Sequence, residues 1–224
     1  MVILGIFSPG PNPSAALLIN GKIVSWVEEE RFDRIKTSPN SFPTKSIRWC
    51  LKNANLNLID IDKIAYGWDS PSYITKTKDF LRLQSEEIGD QSVYNKLQDD
   101  LLTNLYHPER IKHQINMCYS SIDYKVKVPE VVFFKHHDCH IASAFYSSGF
   151  EESNVLSIDG SGEEVTTLLC HVSRDGIKTI KTFKLPNTLG GFYATFTEFL
   201  GFRSYHDEGK VMGLNQELTL KRTM

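Results

Sequence analysis

The chain has 224 residues, 41% hydrophobic and 23% charged, enough to bury one large core or two small ones. A formal net charge of -2 gives no basic surface for nucleic acid, and no stretch approaches the roughly 20 apolar residues of a membrane span. Four scattered cysteines, Cys50, Cys118, Cys139 and Cys170, form no Cys-x-x-Cys pair, which favours reduced thiols over a disulfide framework or a zinc ribbon.

The chain opens directly on an apolar segment without a basic, cleavable leader, so a cytoplasmic location is expected. Strands are predicted over residues 2–7, 14–20 and 22–29, the second and third joined through Asn20-Gly21, a two-residue type I′ hairpin signal. Pro43 opens a helix with Ile47, Cys50, Leu51 and Ala54 on one stripe, and a strand follows over residues 64–68. Residues 74–122 are predicted to be mostly helical. Their stripes are Val93, Leu97, Leu101 and Leu105, then Ile111, Ile115, Cys118 and Ile122, divided by Pro108 and read as core faces. A strand over residues 130–135 leads into a helix reaching about Tyr146. After Gly149 the pattern restarts. Strands over 154–159, 164–172 and 177–184 precede a helix over 189–200 that should bury Phe192, Phe196, Phe199 and Leu200 before Gly201 stops it.

The chemistry-bearing residues concentrate where the 130–135 strand meets its helix. In His136-His137-Asp138-Cys139-His140 the first and last residues are spaced i, i+4, so both imidazoles can face one divalent metal. His137 points about 100° away and reads as a neighbour. Without Glu at the second position this is not the His-Glu-x-x-His motif, and Cys139 reads as a packing residue. Downstream, Leu156-Ser157-Ile158-Asp159 reads as a buried strand entering a turn, Gly160-Ser161-Gly162-Glu163, where backbone N–H groups can approach a phosphate. Arg31, Arg34 and Lys36 lie beside Glu28, Glu29 and Glu30, by composition a solvated charge run, and Lys210 by itself reads as a surface lysine.

The histidine segment continues through Ile141-Ala142-Ser143-Ala144-Phe145-Tyr146 and resembles the His-His-x-x-His-Ala-Ala-Ser-Ala-Phe-Tyr segment of the NodU/CmcH-type O-carbamoyltransferases. Three further segments agree in order: Asn12-Pro13-Ser14-Ala15-Ala16-Leu17 followed by Asn20-Gly21-Lys22-Ile23-Val24; Glu28-Glu29-Glu30-Arg31-Phe32-Asp33-Arg34-Ile35-Lys36; and Glu208-Gly209-Lys210-Val211-Met212-Gly213-Leu214.

The resemblance implies an α/β chain of the ASKHA (actin-like, ribonuclease H-like) fold. A complete first lobe with the histidine helix is expected over residues 1–150, the start of a second lobe over 151–214 and a divergent tail over 215–224. In the resembled family a YrdC-like domain makes carbamoyl-adenylate from carbamoyl phosphate and ATP, and the ASKHA domain moves the carbamoyl group onto a hydroxyl of a small molecule such as a sugar or antibiotic. His136 and His140 match the family's metal ligands, with iron or a similar divalent ion expected. Asn12, Ser14, Asp159, Gly160, Ser161, Gly162 and Lys210 match positions that face the phosphate or the intermediate, and Arg31, Arg34 and Lys36 are candidates for substrate contact. Pro11 stands where the family often has His, and a further aspartate ligand of the second lobe would lie beyond Leu214. The chain is therefore expected to be the front part of such an enzyme, inactive alone and completed by a separate chain. Two readings compete with it: an inactive ASKHA remnant that binds a nucleotide or a protein, and an enzyme of the tRNA threonylcarbamoyl-transfer type.

Overall fold

The computed structural model describes residues 1–8, 10–39, 41–77 and 105–214. Strands β1 (Val2–Phe7), β2 (Ser14–Ile19) and β3 (Lys22–Glu28) form an antiparallel meander. Asn20 and Gly21 between the last two adopt φ 51° and 79°, the paired left-handed conformations of a type I′ turn. Strands β4 (Lys63–Tyr66) and β5 (Glu130–Phe133) extend this sheet in parallel on the other side of β1, in the order β3-β2-β1-β4-β5. Parallel neighbours cannot be joined by a hairpin, and the chain between them holds helices α1 (Thr44–Asn53) and α2 (Pro108–Asp123). The stripes predicted for α1 and α2 are their buried faces. Ile47, Cys50 and Leu51 of α1 and Ile111, Ile115 and Cys118 of α2 share one core with Leu4, Leu17, Ile64 and Tyr66, each large side chain contributing about 1.5–3 kcal/mol by burial.

Helix α1 follows Pro43 and has no side-chain cap of its own. Glu29, buried just past β3, takes that role. Its Oε1 accepts the Lys45 N–H at 3.1 Å, and its Oε2 accepts the Ser46 N–H at 2.8 Å and the Ser46 hydroxyl at 2.7 Å. A carboxylate at the positive end of the helix dipole satisfies first-turn donors that have no partner within the helix. Glu29 is thus a structural cap and not one member of a solvated charge run.

Helix α3 (His136–Ser148) follows β5. The chain then forms a three-stranded antiparallel sheet of β6 (Glu152–Gly162), β7 (Val165–Ser173) and β8 (Gly176–Lys184), followed by α4 (Leu189–Phe199). The order β-β-β-α-β-α-β-α, then β-β-β-α, is the α/β ASKHA order expected from the sequence. Two compact units result, Met1–Cys139 and His140–Met224, with the boundary inside α3. In the second unit Ile141 and Phe145 of α3 pack on Leu168, Cys170 and Val172 of β7.

Several boundaries differ from expectation. The strand expected over 64–68 ends at Tyr66, that over 130–135 ends at Phe133, and that over 154–159 runs on to Gly162. Val93, Leu97, Leu101 and the tail after Leu214 lie outside the described residues. The larger correction concerns α4. Phe192, Phe196, Phe199 and Leu200 are all exposed, and the helix instead buries Ala194 and Thr197. Gly190, Ala194 and Thr197 fall at helical i, i+4, i+7 spacing and make a face of small residues. Such a face approaches a strand backbone more closely than phenylalanines allow, and β6 is where it packs. Among the described residues no helix is long and apolar enough to cross a membrane.

Candidate metal centre

Helix α3 begins at His136 and carries His140 one turn further on, so the helical spacing read from the sequence is realised. His136 is half-buried among aromatic rings, with the centroid of Trp68 at 5.1 Å and that of Phe7 at 5.7 Å. Trp68 is held in turn by Tyr106, stacked at 4.9 Å, and by the edge of Tyr73 at 5.5 Å. His137 is 2% exposed and turned into the protein, in keeping with its reading as a neighbour and not a ligand.

Within the second unit, His140 Nε2 lies 3.2 Å from Asp159 Oδ2, with the two side chains 50% and 36% exposed. Asp159 therefore presents its carboxylate to the histidine helix while the pair stays open to solvent. Its other oxygen, Oδ1, accepts the Gly160 N–H at 2.6 Å.

The backbone around Asp159 is not the turn expected from Gly160-Ser161-Gly162. These three residues belong to β6, whose register against β7 shifts between Ile158 and Gly162, and the chain reverses only at residues 163–164, with Glu163 at φ 50°. A bulge accommodates extra residues without ending the ladder, which is how a Gly-rich segment here remains strand. Thr188, the N-cap of α4, braces this bulge. Its hydroxyl accepts the Gly191 N–H at 3.0 Å and donates to the carbonyl of Gly160 at 2.6 Å, with that of Asp159 at 3.3 Å. Gly190 packs so closely on the same backbone that a Cβ there would lie 2.4 Å from Gly160 N and 2.6 Å from the Asp159 carbonyl carbon. The N-cap signal of Thr188 before Leu189-Gly190-Gly191 was open to sequence reasoning, but its reach to Asp159 was not.

The remaining candidates fall in separate places. In the first unit Asn12 is exposed at φ 59°, and its N–H is already given to Thr37 O at 2.8 Å, leaving its side chain for any ligand. Ser14 begins β2 opposite Glu28. The segment after the helical turn Glu30–Asp33 is tied down by Glu30, which accepts the Thr37 N–H at 2.7 Å, and by Asp33, which accepts the Ser38 hydroxyl at 2.7 Å and the Ile35 N–H at 2.9 Å. Hydrogen bonds to Ser38 and Ile35 hold the Asp33 carboxyl below its ordinary range. Arg31 pairs with Glu28 at 3.3 Å and Glu30 at 3.4 Å, whereas Arg34 and Lys36 extend outward. The Asn12–Thr37 bond thus brings the first hairpin loop and the basic segment together. In the second unit Lys210 lies in the helical stretch 208–214, its amine 2.7 Å from buried Asp207. Lys210 and then Arg203 hold the Asp207 carboxyl far below the usual carboxylate range. Tyr205, in the same loop, places its ring against Gly160.

Two imidazole nitrogens and one carboxylate form a donor set that suits zinc, iron, cobalt and similar divalent ions. Residues His136, His140 and Asp159 fit such an ion by donor chemistry. Residues 3–221 match the family described as Carbamoyltransferase N-terminus. The chain belongs to that carbamoyltransferase family. Among curated relatives, the nodulation protein NolNO of Sinorhizobium fredii is 34% identical over 201 residues, 90% of this chain and 27% of the relative. The protein sll1178 of Synechocystis is 34% identical over 214 residues, 95% of this chain and 34% of the relative. This carbamoyltransferase domain therefore spans about a third or less of the length of the relatives it matches. Among solved structures it is similar to YeaZ from Pseudomonas aeruginosa, with TM-score 0.42 and 12% identity over 83% of this chain and 66% of that one. Component A of the (R)-2-hydroxyglutaryl-CoA dehydratase of Acidaminococcus fermentans gives TM-score 0.42 and 14% identity over 91% of this chain and 56% of that one.

Proposed function

We propose that this chain is the ASKHA portion of an O-carbamoyltransferase that moves a carbamoyl group from carbamoyl-adenylate to a hydroxyl of a small molecule, with His136, His140 and Asp159 holding a divalent metal. The observation that carries this reading is the approach of Asp159 Oδ2 to His140 Nε2 at 3.2 Å, in a chain that belongs to the carbamoyltransferase family. The expected aspartate beyond Leu214 is not needed to give the histidines a carboxylate partner, because Asp159 supplies one. When bound, the ion provides positive charge where negative charge develops during acyl transfer.

The chain's own residues divide the remaining work. Trp68 and Phe7 pack against the His136 ring, and the Gly160 N–H holds one Asp159 oxygen so that the other is turned to His140. Arg34, Lys36 and the side chain of Asn12 present donors for an anionic substrate at the end of the first sheet where β1 ends and β2 begins. Lys210, anchored by Asp207, offers a further cation in the unit that carries Asp159. ATP and carbamoyl phosphate are substrates of the complete enzyme on this reading, and the acceptor is a hydroxylated small molecule.

Calorimetric titration of the Co(II)-loaded chain with a non-hydrolysable carbamoyl-adenylate analogue tests the reading. Binding that requires Co(II) and is lost in His140→Ala and Asp159→Ala is the expected result. Equal affinity with and without the ion, or in both variants, would overturn it.

A further inference from the structure

We infer that Thr188 is a positioning residue for Asp159 and that the α4 N-terminus is built to seat the carboxylate-bearing bulge of β6. This rests on the metal-site reading above. Three observations within the second unit converge on it. The Thr188 hydroxyl spends its proton on the bulge carbonyls, 2.6 Å from Gly160 O, while a lone pair caps α4 through the Gly191 N–H at 3.0 Å. One hydroxyl thus serves as donor to the strand and acceptor from the helix. Gly190 leaves no space between helix and bulge, since a Cβ there would come within 2.7 Å of the Asp159 carbonyl oxygen. At Gly191 an added Cβ would instead meet the Thr188 side chain, 2.6 Å from its methyl group, so this glycine leaves room for the Thr188 rotamer.

The consequence follows from what the bulge carries. Backbone movement at Asp159–Gly160 changes the Gly160 N–H that orients Oδ1, and with it the direction of Oδ2 toward His140. In a regular ladder, hydrogen bonds to neighbouring strands on both sides would fix this segment. Here the register against β7 is interrupted and, among the described residues, β6 has β7 as its one neighbour, so α4 supplies a brace on this segment. The Thr188 hydroxyl meets Asp159 only at its backbone carbonyl, at 3.3 Å, so its influence on the centre runs through the backbone.

The experiment compares Thr188→Val, Thr188→Asp and Thr188→Ser in the full chain. Co(II) affinity is measured by its visible absorption, the Gly160 amide resonance is followed in metal-free protein, and folding is followed by thermal melting. Valine removes all three hydrogen bonds of the hydroxyl. Aspartate keeps a capping acceptor for Gly191 but has no proton for Gly160 O, so it tests the brace in a helix that remains capped. Thr188→Val and Thr188→Asp are expected to weaken Co(II) binding by about tenfold or more, the range typical of residues that orient ligands, and to shift the Gly160 amide. Thr188→Ser should restore both. As a control, Thr195→Val removes another α4 hydroxyl, which bonds Gly191 O at 3.0 Å, and should change neither. A lower melting temperature with wild-type Co(II) affinity and an unmoved Gly160 amide would reduce Thr188 to a helix cap and overturn the inference. His140→Ala and Asp159→Ala separate the two layers. Wild-type Co(II) binding in both would refute the metal reading, while the Gly160 amide would still show whether Thr188 sets the Asp159 backbone.

Discussion

The Trp68 and His136 rings lie with centroids 5.1 Å apart and planes tilted by 54°. Trp68 is 7% exposed, so its emission reports on the protein interior beside that histidine. In a Trp26→Phe, Trp49→Phe background, which leaves Trp68 as the single tryptophan, Co(II) is expected to quench most of the fluorescence. His136→Ala should abolish the quenching. Quenching that survives that substitution would place the ion elsewhere.

The three histidines should separate into two classes. His136→Ala and His140→Ala are expected to lower bound metal in elemental analysis with little effect on melting. His137→Ala should keep the metal but lose roughly 2 kcal/mol of stability, because its ring is buried and its removal leaves a cavity. Equal metal loss in all three variants would sink the assignment.

Glu29 supplies both oxygens to the start of α1, and Glu29→Ala leaves the Lys45 and Ser46 N–H groups without this acceptor. A loss of about 1–3 kcal/mol is expected, read as a fall in melting temperature of several degrees. Glu29→Gln, which keeps an acceptor but not the charge, should lose less. Metal binding should be unaffected by either, which separates this glutamate from the basic segment that follows it.

Stability should fall on the acid side through Asp207. Its carboxyl is held far below the ordinary value by Lys210 and Arg203, so the ionised form favours the folded chain. That contribution is complete above the unfolded pKa of about 3.9 and declines as pH falls toward the folded value. Melting temperatures measured from about pH 2 to about pH 7 should drop below roughly pH 4. Lys210→Met should lower stability near neutral pH and flatten this acid limb, and an unchanged acid limb would contradict the pairing.

The strand and helix order, the type I′ turn at Asn20-Gly21 and the apolar stripes of α1 and α2 were legible in the sequence because each depends on local periodicity and turn chemistry. The spacing of His136 and His140 was legible for the same reason, since a helix sets that relation by itself. What the sequence could not show is which residues meet across elements. The phenylalanines of α4 suggested an apolar inner face, yet Gly190, Ala194 and Thr197 form the face that packs, because close approach to the β6 backbone favours small side chains. Glu29 read as one charge in an acidic run, and only the position of α1 beyond β3 makes it a buried cap. Asp159 read as the end of a strand entering a glycine turn. The tertiary structure carries the strand through Gly162, bulges it, braces it with Thr188 and so brings a carboxylate within 3.2 Å of His140, a relation between residues 19 positions apart that no local pattern encodes.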